Sequence, residues 1–255
     1  MSGAGHDGVW REELRLHSYD VDFTQTASLE AICRLFLEAA WNHAEALGVG
    51  FAHLAEQQRF WVLVRLLIKM QRYPRWGEVV QLNTWPRTTK SLFALREFEL
   101  TDSAGEQLGG GSSAWVVLDA NTKKPQRLEK LLSGLRTGPE QLAVGSEPSK
   151  IEACTCPTVL TTNARYSDID LNGHVNSGRY IGWLLDSYAF EFHKTHQAHQ
   201  IEVNYLSETR GGEEISIRAV ELSPATWFHT IVKTDGAEVC RARLFWTACP
   251  DRSGG

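Results

Sequence analysis

The sequence lacks a basic excess and any long apolar run, and both absences exclude classes of protein. The formal net charge of the 255 residues is -5, whereas a chain whose main partner is nucleic acid usually carries a strong positive excess. A helix needs ~20 mostly apolar residues to span a bilayer, and the best stretch, residues 60–70, is interrupted by Arg65 and Lys69. We therefore predict neither a nucleic-acid partner nor membrane insertion.

The first residues of the chain also lack the features of a secretory signal. Residues 1–8 are rich in glycine and contain neither a basic segment nor an apolar one, so no signal peptide is indicated. The expected location is the cytoplasm.

Cysteine is scarce and shows no pairing pattern. Five cysteines, an odd number, are scattered along the chain, and Cys154 and Cys156 are separated by one residue. A disulfide framework is typical of short chains with an even set of cysteines, and a zinc site needs further ligands at suitable spacing. We therefore expect reduced, partly buried thiols and neither a metal nor another cofactor.

What the sequence does contain is apolar material for a large core. Hydrophobic residues make up 42% of the chain, charged residues 22%, and there are nine tryptophans. This composition is typical of a soluble globular protein, and the length fits one large domain or two of ordinary size.

One stretch of the second half joins a polar loop to an apolar helix. Asp170, Asn172 and His174 occupy alternate positions, and apolar residues at helical spacing follow at once. That spacing predicts a helix from residue 175 to about residue 193. Hydrogen-bonding side chains therefore stand directly before a helix that can bury one face.

The first half predicts a similar helix, and strands follow it in both halves. Apolar residues recur at helical spacing from Leu29 to Leu47, and Gly48 is a plausible C-terminal stop. An extended segment is expected before this helix, over residues 12–23, and a linker over residues 120–150. The predicted strands cover residues 59–73, 78–85, 92–101, 107–118, 200–209, 214–222, 227–234 and 238–247.

The two halves align in pieces that keep the same order. Asp22 falls on Asp170 at an offset of 148 residues, and Val80 falls on Ile215 at an offset of 135. Matches in one order indicate a tandem duplication, in which each copy is one long helix followed by four antiparallel strands.

A lone helix and a half-apolar sheet bury each other best when the sheet wraps around the helix. Two such units can join their sheets edge to edge, which covers exposed strand edges. We therefore predict an α+β fold, a tandem (double) hotdog in which each unit is a long central helix wrapped by an antiparallel sheet. The N-terminal hotdog is expected over residues 1–140 and the C-terminal hotdog over residues 141–255.

The copies differ in their ionisable side chains. Thr24 and Thr26 stand where the second copy has Asn172 and His174, and Tyr73 stands where it has a glutamate. Threonine hydroxyls can cap a helix but cannot shuttle protons near neutral pH. If there is an active site, its polar groups come from the second half.

Four side chains of the second half, Asp170, Asn172, His174 and Glu208, suit hydrolysis of an acyl ester or thioester by water. His174 can act as general acid or base, and Glu208 can hold or activate a water. Asn172 can donate to a reacting carbonyl or orient His174, while Asp170 can fix the Asn172 amide. Backbone N–H groups at the start of the second-half helix could stabilise an oxyanion.

The alternative for this loop is a purely structural one, because Asp, Asn and Ser are ordinary helix caps and turn formers. A cysteine nucleophile has no support, since the residue after Glu208 is Thr209. The comparison with Thr24 and Thr26 favours catalysis, because capping is met in the first copy without an amide or an imidazole.

Segments of both halves resemble the motifs of a known enzyme family, the acyl-acyl carrier protein (ACP) thioesterases of the plant and bacterial type. In the second half these are residues 168–176 with Tyr180-Ile181-Gly182-Trp183, and residues 204–208. The resemblance covers roughly residues 14–246. The matching segments of the first half are residues 36–40, 61–65, 73–77, 84–86, 96–98 and 115–119.

The resemblance implies a double-hotdog hydrolase that releases free fatty acid from acyl-ACP, with Asp170, Asn172, His174 and Glu208 as catalytic residues. It places these residues in the C-terminal hotdog and the acyl chain in the N-terminal one. The family often carries cysteine after the glutamate, and Thr209 departs from that pattern. The departure favours attack by water promoted by Glu208 and His174.

The resemblance also implies where substrate and partner bind. The acyl chain would lie along the 29–47 helix and strands near Trp61, Leu63, Trp85 and Phe93, although each of these residues could equally be ordinary core. ACP is acidic, so a basic patch is expected, with ordinary solvated surface as the alternative. The candidates are Arg87, Lys90, Lys123, Lys124, Arg127 and Arg179.

Two other functions stay open at this stage. One is an acyl-CoA thioesterase of the hotdog superfamily, and the other is a non-catalytic acyl-binding hotdog protein. A binder has no need of the ionisable set, which counts against the second. Homodimerisation is also left open.

Overall fold

The computed structural model describes residues 3–5, 7–87, 89–132 and 134–249, and its central feature is one antiparallel sheet of eleven strands. The strands are β1 (Gly3–Ala4), β2 (Trp10–Arg15), β3 (Arg59–Met70), β4 (Val79–Pro86), β5 (Ala94–Asp102), β6 (Gln107–Asp119), β7 (Thr158–Asn163), β8 (His196–Tyr205), β9 (Glu214–Ser223), β10 (Thr226–Lys233) and β11 (Glu238–Ala248). The helices are α1 (Leu29–Ala46), α2 (Phe51–Glu56), α3 (Leu128–Leu131), α4 (Ser177–Asp186) and α5 (Phe190–Thr195), with a 3-10 turn at Tyr166–Asp168.

The strand order is symmetric about the centre of the sheet. It runs β1-β2-β4-β5-β6-β3-β8-β11-β10-β9-β7, so the second half repeats the order of the first in reverse. The halves meet where β3 pairs with β8, from Arg65 opposite Asn204 to Lys69 opposite Gln200. This junction is the predicted edge-to-edge joining of two sheets, and it removes one exposed edge from each half.

Each of the eight predicted strands overlaps an observed one, but each half also has a strand before its helix. The extended segment predicted over residues 12–23 is a strand only as far as Arg15, after which the chain turns. Strand β7 was not predicted. It lies at the edge of the sheet, where it pairs only with β9 among the described strands, and its threonine-rich residues are largely exposed. An edge strand with so little apolar surface has a weak sequence signal.

Helix α1 confirms the first-half prediction. Its N-cap is Ser28, whose Oγ accepts a hydrogen bond from the Ala31 N–H at 3.1 Å. Gly48 ends the helical segment with a φ of +70°, a conformation that suits glycine. The buried face of α1 packs on the sheet, where Phe36 stacks on Phe98 with ring centroids 4.9 Å apart.

The long second-half helix predicted from residue 175 to about residue 193 is wrong. The structure has a ten-residue helix, α4, and a separate six-residue helix, α5. Helix α4 ends where Ser187 Oγ donates to the Leu184 carbonyl at 2.7 Å, and Ala189 is extended. Between them, Tyr188 lies among Trp227, His229 and Trp246. The break thus brings an aromatic side chain into the core of the second half.

The linker between the halves lies against the sheet. Ile201 and Val203 of β8 face the core, so Asn204, which is next to Val203, faces the opposite side. There its Oδ1 accepts from the Ile151 N–H at 2.8 Å and its Nδ2 donates to the Ser149 carbonyl at 2.9 Å. Side-chain bonds of this kind carry no periodicity in the sequence. The domain boundary between residues 140 and 141 stays a prediction.

The cysteines are free thiols. Cys33, Cys156 and Cys240 are buried, while Cys154 and Cys249 are partly exposed. Burial raises the pKa of the Cys33 thiol to about 12. Within the described residues no helix has the length and apolar character needed to cross a membrane.

Candidate active site

The candidate site is built on the loop that precedes α4. The Asp170 N–H donates to the His174 carbonyl at 2.9 Å, and the Val175 N–H donates to the Thr209 carbonyl at 2.9 Å. Gly173, with a φ of +77°, makes the turn. These bonds hold the loop against the segment that follows β8, which carries Glu208.

His174 and Glu208 come together in this arrangement. His174 Nε2 lies 3.0 Å from Glu208 Oε2, and the two side chains are 28% and 56% exposed. Glu208 had been expected in a strand over residues 200–209, but β8 ends at Tyr205 and Glu208 lies in the loop beyond it. The pair is therefore accessible to solvent water.

Asp170 and Asn172 lie in the same loop, but their contact differs from the expected one. Asp170 Oδ1 accepts from the backbone N–H of Asn172 at 2.8 Å, rather than from its side-chain amide. The Asn172 side chain is exposed. Asp170 thus fixes the backbone at Asn172, and the amide of Asn172 projects from a turn that is itself held in place.

The start of α4 offers fewer oxyanion donors than the sequence suggested. Asn176 is the N-cap, and its Oδ1 accepts from the Gly178 N–H at 2.9 Å. Its carbonyl accepts from the Arg179 N–H at 2.9 Å. Since both N–H groups already have partners, an oxyanion would depend more on side-chain donors such as the Asn172 amide.

Asp168 anchors the loop, and the sequence reasoning assigned it no role. This carboxylate is 2% exposed. It accepts from the Arg165 N–H at 2.7 Å and from Arg179 Nε at 2.8 Å, and Arg179 also pairs with Glu30 of α1 at 2.8 Å. The repeat could have revealed it. Asp20 aligns with Asp168 at the offset of 148 residues that also aligns Asp22 with Asp170.

The loop before α1 has the same backbone hydrogen bonds. The Asp22 N–H donates to the Thr26 carbonyl at 3.0 Å, and the Ala27 N–H donates to the Pro74 carbonyl at 2.8 Å. Asp22 Oδ1 accepts from the Thr24 N–H at 2.8 Å, as Asp170 does from Asn172. The alignment of Thr24 and Thr26 with Asn172 and His174 is therefore confirmed.

The first-half equivalent of Glu208 is a structural residue. Tyr73 is 6% exposed, and its hydroxyl donates to the Ala198 carbonyl of β8 at 2.7 Å. A bond from one half to the central strand of the other stabilises the junction of the sheets. The position that carries an exposed carboxylate in the second half thus serves packing in the first.

Thr209 does not share the surroundings of Glu208. It is fully buried, and its Oγ1 has no hydrogen-bond partner among the described residues. Burial raises the pKa of the neighbouring Tyr180 hydroxyl to about 12. A buried side chain on the core side of the segment is badly placed to attack a substrate at the exposed pair. This geometry favours water as the nucleophile.

Several of the basic residues proposed for carrier binding are neutralised within the chain. Arg87 pairs with Glu97 and Glu147, Lys90 also pairs with Glu147, and Arg179 pairs with two carboxylates beside the loop. Lys123 lies over the ring of Phe60 at 4.8 Å. The pairing removes much of the attraction that Arg87, Lys90 and Arg179 could exert on an acidic partner.

Comparison with known proteins agrees with the architecture. The chain is 32% identical to oleoyl-acyl carrier protein thioesterase 1, chloroplastic, of Arabidopsis thaliana over 79% of this chain and 61% of that protein. It is 28% identical to palmitoyl-acyl carrier protein thioesterase, chloroplastic, of Gossypium hirsutum over 93% of this chain and 63% of that protein. The chain thus spans less than two thirds of the length of these relatives.

Solved structures and family models agree as well. The crystal structure of an acyl-ACP thioesterase from Bacteroides thetaiotaomicron matches with a TM-score of 0.86 and 29% identity, covering 94% of this chain and 98% of that one. This match confirms the predicted α+β double hotdog. Family models match residues 7–133 as the acyl-ACP thioesterase N-terminal domain and residues 151–248 as its C-terminal domain. The chain belongs to the acyl-ACP thioesterase family.

Proposed function

We propose that the chain hydrolyses acyl-ACP and releases a free fatty acid. The observation that carries the proposal is the pair of His174 and Glu208, 3.0 Å apart and open to solvent, on one of two otherwise equivalent loops. The first-half loop forms the same backbone bonds with threonines. The imidazole and carboxylate are therefore not needed for the fold, and hydrolysis gives them a role.

The mechanism is attack by water on the thioester carbonyl. Glu208 and His174 orient a water molecule and take a proton from it as its oxygen bonds to the carbonyl carbon. The tetrahedral oxyanion then collapses and the carbon–sulfur bond breaks. The proton held by the pair passes to the departing thiolate, so the products are a carboxylic acid and the free carrier thiol.

Asn172 and Asp170 position the substrate in this scheme. The Asn172 amide donates a hydrogen bond to the carbonyl oxygen as it gains negative charge. Asp170 holds that residue through its backbone N–H at 2.8 Å. Substitution of Asn172 would then lower kcat more than it raises KM, because the bond strengthens in the transition state.

The acyl chain occupies the interior of the first half in this proposal. Leu63 belongs to the apolar cluster between α1 and the sheet, but Trp61 packs in a separate cluster with Leu54 and Val117. Trp85 faces the other side of the sheet, where its Nε1 donates to the Pro139 carbonyl at 2.9 Å. The candidate lining is therefore narrower than the sequence indicated and excludes Trp85.

The test is hydrolysis of matched acyl-ACP and acyl-CoA substrates by the purified protein, with analysis of the released fatty acids. Faster turnover of acyl-ACP is expected, and the product distribution gives the chain-length preference. Much faster turnover of acyl-CoA would favour the acyl-CoA thioesterase instead. Binding of both without hydrolysis would favour a non-catalytic acyl-binding protein. Cytoplasmic location and homodimerisation stay predictions from the sequence.

A further inference from the structure

An open groove lies beside the catalytic loop. Two of its walls are apolar side chains that nothing covers: Tyr166 is 97% exposed and Leu171 is 73% exposed. Both side chains line the same groove, and exposed apolar surface of this kind commonly marks a binding site. The residues that line the groove are Tyr166, Ser167, Ile169, Asp170, Leu171, Gly211 and Gly212.

The groove has a counterpart position in the first half that is filled differently. The Gly212 N–H donates to the Ala164 carbonyl at 2.8 Å, and the equivalent Gly77 N–H donates to the Leu16 carbonyl at 2.9 Å. The residue before Gly77 is Trp76, so this indole occupies the position that Gly211 holds in the second half. The second half, which carries His174 and Glu208, thus has a glycine at the position where the first half has a tryptophan.

Glycine at position 211 is not required by the backbone. A Cβ added there would meet Ile169 at 3.5 Å, which is ordinary van der Waals contact, and its φ is not in the left-handed region. A larger side chain is therefore compatible with the turn and would extend over the groove. The absence of a side chain keeps the groove open.

Two exposed arginines flank the groove. Arg165 precedes Tyr166 and Arg210 precedes Gly211, and both are exposed. Two carboxylates of the same segments have partners of their own, since Asp168 binds Arg179 at 2.8 Å and Glu213 binds Lys233 at 2.8 Å. Glu213 also feels the charge of Arg210, and the Asp170 carboxylate lines the groove itself. Neither guanidinium forms an ion pair with any residue in the described part of the chain. Exposed guanidinium groups that form no ion pair are well suited to bind phosphate oxygens.

We propose that this groove binds the phosphopantetheine arm of the acyl carrier protein. The apolar walls contact the amide-linked chain, and Arg165 and Arg210 face its phosphodiester. Gly211 is three residues from Glu208, at most ~10 Å along an extended chain, so an arm in the groove can bring its thioester to the catalytic pair. The proposal rests on the proposed function and names the binding site of its substrate.

The first test fills the groove by placing at position 211 the tryptophan that the first half has at position 76. One acyl chain is presented on ACP, on pantetheine and on N-acetylcysteamine, which lacks most of the arm. Gly211→Trp should lower the ratio of kcat/KM for acyl-ACP to that for the truncated thioester at least tenfold, mainly through KM. Trp76→Ala, at the matched position of the first half, should leave that ratio unchanged.

The second test addresses the phosphate. The double substitution Arg165→Gln and Arg210→Gln should lower kcat/KM about tenfold for acyl-ACP and for the acyl-phosphopantetheine thioester. The acyl-pantetheine thioester has no phosphate, so its kcat/KM should fall less than twofold. Equal loss on both free-arm thioesters would mean that the arginines support the loop rather than bind phosphate.

Direct binding separates this proposal from the proposed function. Free 4′-phosphopantetheine is titrated into the protein by calorimetry, and Gly211→Trp should raise its Kd at least tenfold. If the protein hydrolyses none of the thioesters, the proposed function fails, but this binding result still supports the groove. No binding at millimolar concentration, or an equal effect of Gly211→Trp on all three thioesters, would overturn the proposal.

Discussion

The loops over residues 17–28 and 165–176 have the same backbone bonds and different side chains. In each, an aspartate holds the N–H two residues ahead, and the chain then bonds to the segment that follows a strand of its own half. The first loop presents threonines, while the second presents Asn172 and His174. The first loop therefore meets the demands of capping and turning without an amide or an imidazole at these two positions, so the side chains of Asn172 and His174 are available for the proposed chemistry.

The interiors of the two halves differ as well. Phe36 stacks on Phe98 in the first half with ring planes 1° apart. At the strand position of Phe98, the second half has His229, whose Nε2 lies 3.0 Å from the Tyr188 hydroxyl, and Trp246 Nε1 donates to that hydroxyl at 3.1 Å. An acyl chain can displace apolar contacts more cheaply than buried hydrogen bonds. The first half also holds buried hydrogen bonds, because Arg96 Nη1 lies 3.2 Å from His43 Nδ1 and donates to Thr84 Oγ1 at 3.2 Å. The apolar region around Phe36 and Phe98 is therefore the part of that interior best suited to an acyl chain.

The largest expected effect comes from removing the acid–base pair. His174→Ala and Glu208→Gln should each lower kcat for acyl-ACP by a factor of ~10² to 10⁴, the usual contribution of general acid–base catalysis. The midpoint of unfolding of each variant should match that of the wild type, because both side chains are partly exposed. Thr26→Ala, at the first-half position of His174, is the matched control and should keep kcat. Equal losses at both positions would show that the loops do not differ as proposed.

The next effect concerns the aspartates that anchor the loops. Asp168→Ala removes the acceptor of the Arg165 N–H and of Arg179 Nε, so it should lower the free energy of unfolding by about 2–3 kcal/mol. It should also lower kcat, because the loop that carries His174 loosens. Asp20→Ala breaks the corresponding bond to the His17 N–H.

Chemical denaturation and steady-state kinetics measured on both variants separate the two effects. Asp20→Ala should destabilise the protein by a similar amount and leave kcat within about twofold of wild type, since its loop carries no reacting group. A larger loss of kcat for Asp20→Ala than for Asp168→Ala would reverse the assignment of the catalytic half.

The third effect is the acid sensitivity of the second-half interior. Burial lowers the pKa of His229 to about 3, below the value near 6.5 of an unfolded histidine. The unfolded chain therefore binds the proton first, so this contribution to stability is complete above pH 6.5 and is lost as the pH falls toward 3. Between pH 6.5 and 5 the loss should be about 2 kcal/mol.

His229→Phe, which copies the residue of the first half, should remove that part of the pH dependence. The measurement is the free energy of unfolding by urea at pH 7, 6 and 5. His53→Gln alters an exposed histidine and should leave the change of the free energy of unfolding with pH as it is in the wild type. If the free energy of unfolding of His229→Phe still fell with pH as it does in the wild type, His229 would have to be protonated from solvent in the folded state.

Sequence reasoning could predict the features that repeat. The equivalence of the two loops followed from the alignment of Asp22 with Asp170. The same offset of 148 residues aligned Thr24 with Asn172 and Thr26 with His174. The break at Tyr188 was not predictable, because Leu185, Tyr188 and Phe192 keep helical spacing across it. What ends α4 is a set of tertiary contacts to Tyr188, and local periodicity does not record them.

The distance between His174 and Glu208 also lay beyond the sequence. Both residues could be identified by type and by contrast with the first half, but their contact depends on the hydrogen bond from Val175 to Thr209 between two loops. The predicted strand over residues 200–209 would have carried Glu208 on a ladder. The chain instead leaves the ladder after Tyr205, and the carboxylate gains the exposure that water attack needs.

The smallest expected effect is at Thr209, and it decides the nature of the nucleophile. Thr209→Ala should keep kcat within about twofold of wild type, because the side chain is buried beside Tyr180 and faces away from the exposed pair. Stability should fall by less than about 1 kcal/mol, because the lost methyl is buried while the lost hydroxyl has no hydrogen-bond partner among the described residues. Steady-state hydrolysis and an unfolding curve measure both quantities. If turnover disappeared while the fold persisted, Thr209 rather than water would be the nucleophile. The segment after β8, and not only the loop over residues 165–176, would then distinguish the active half from the inactive one.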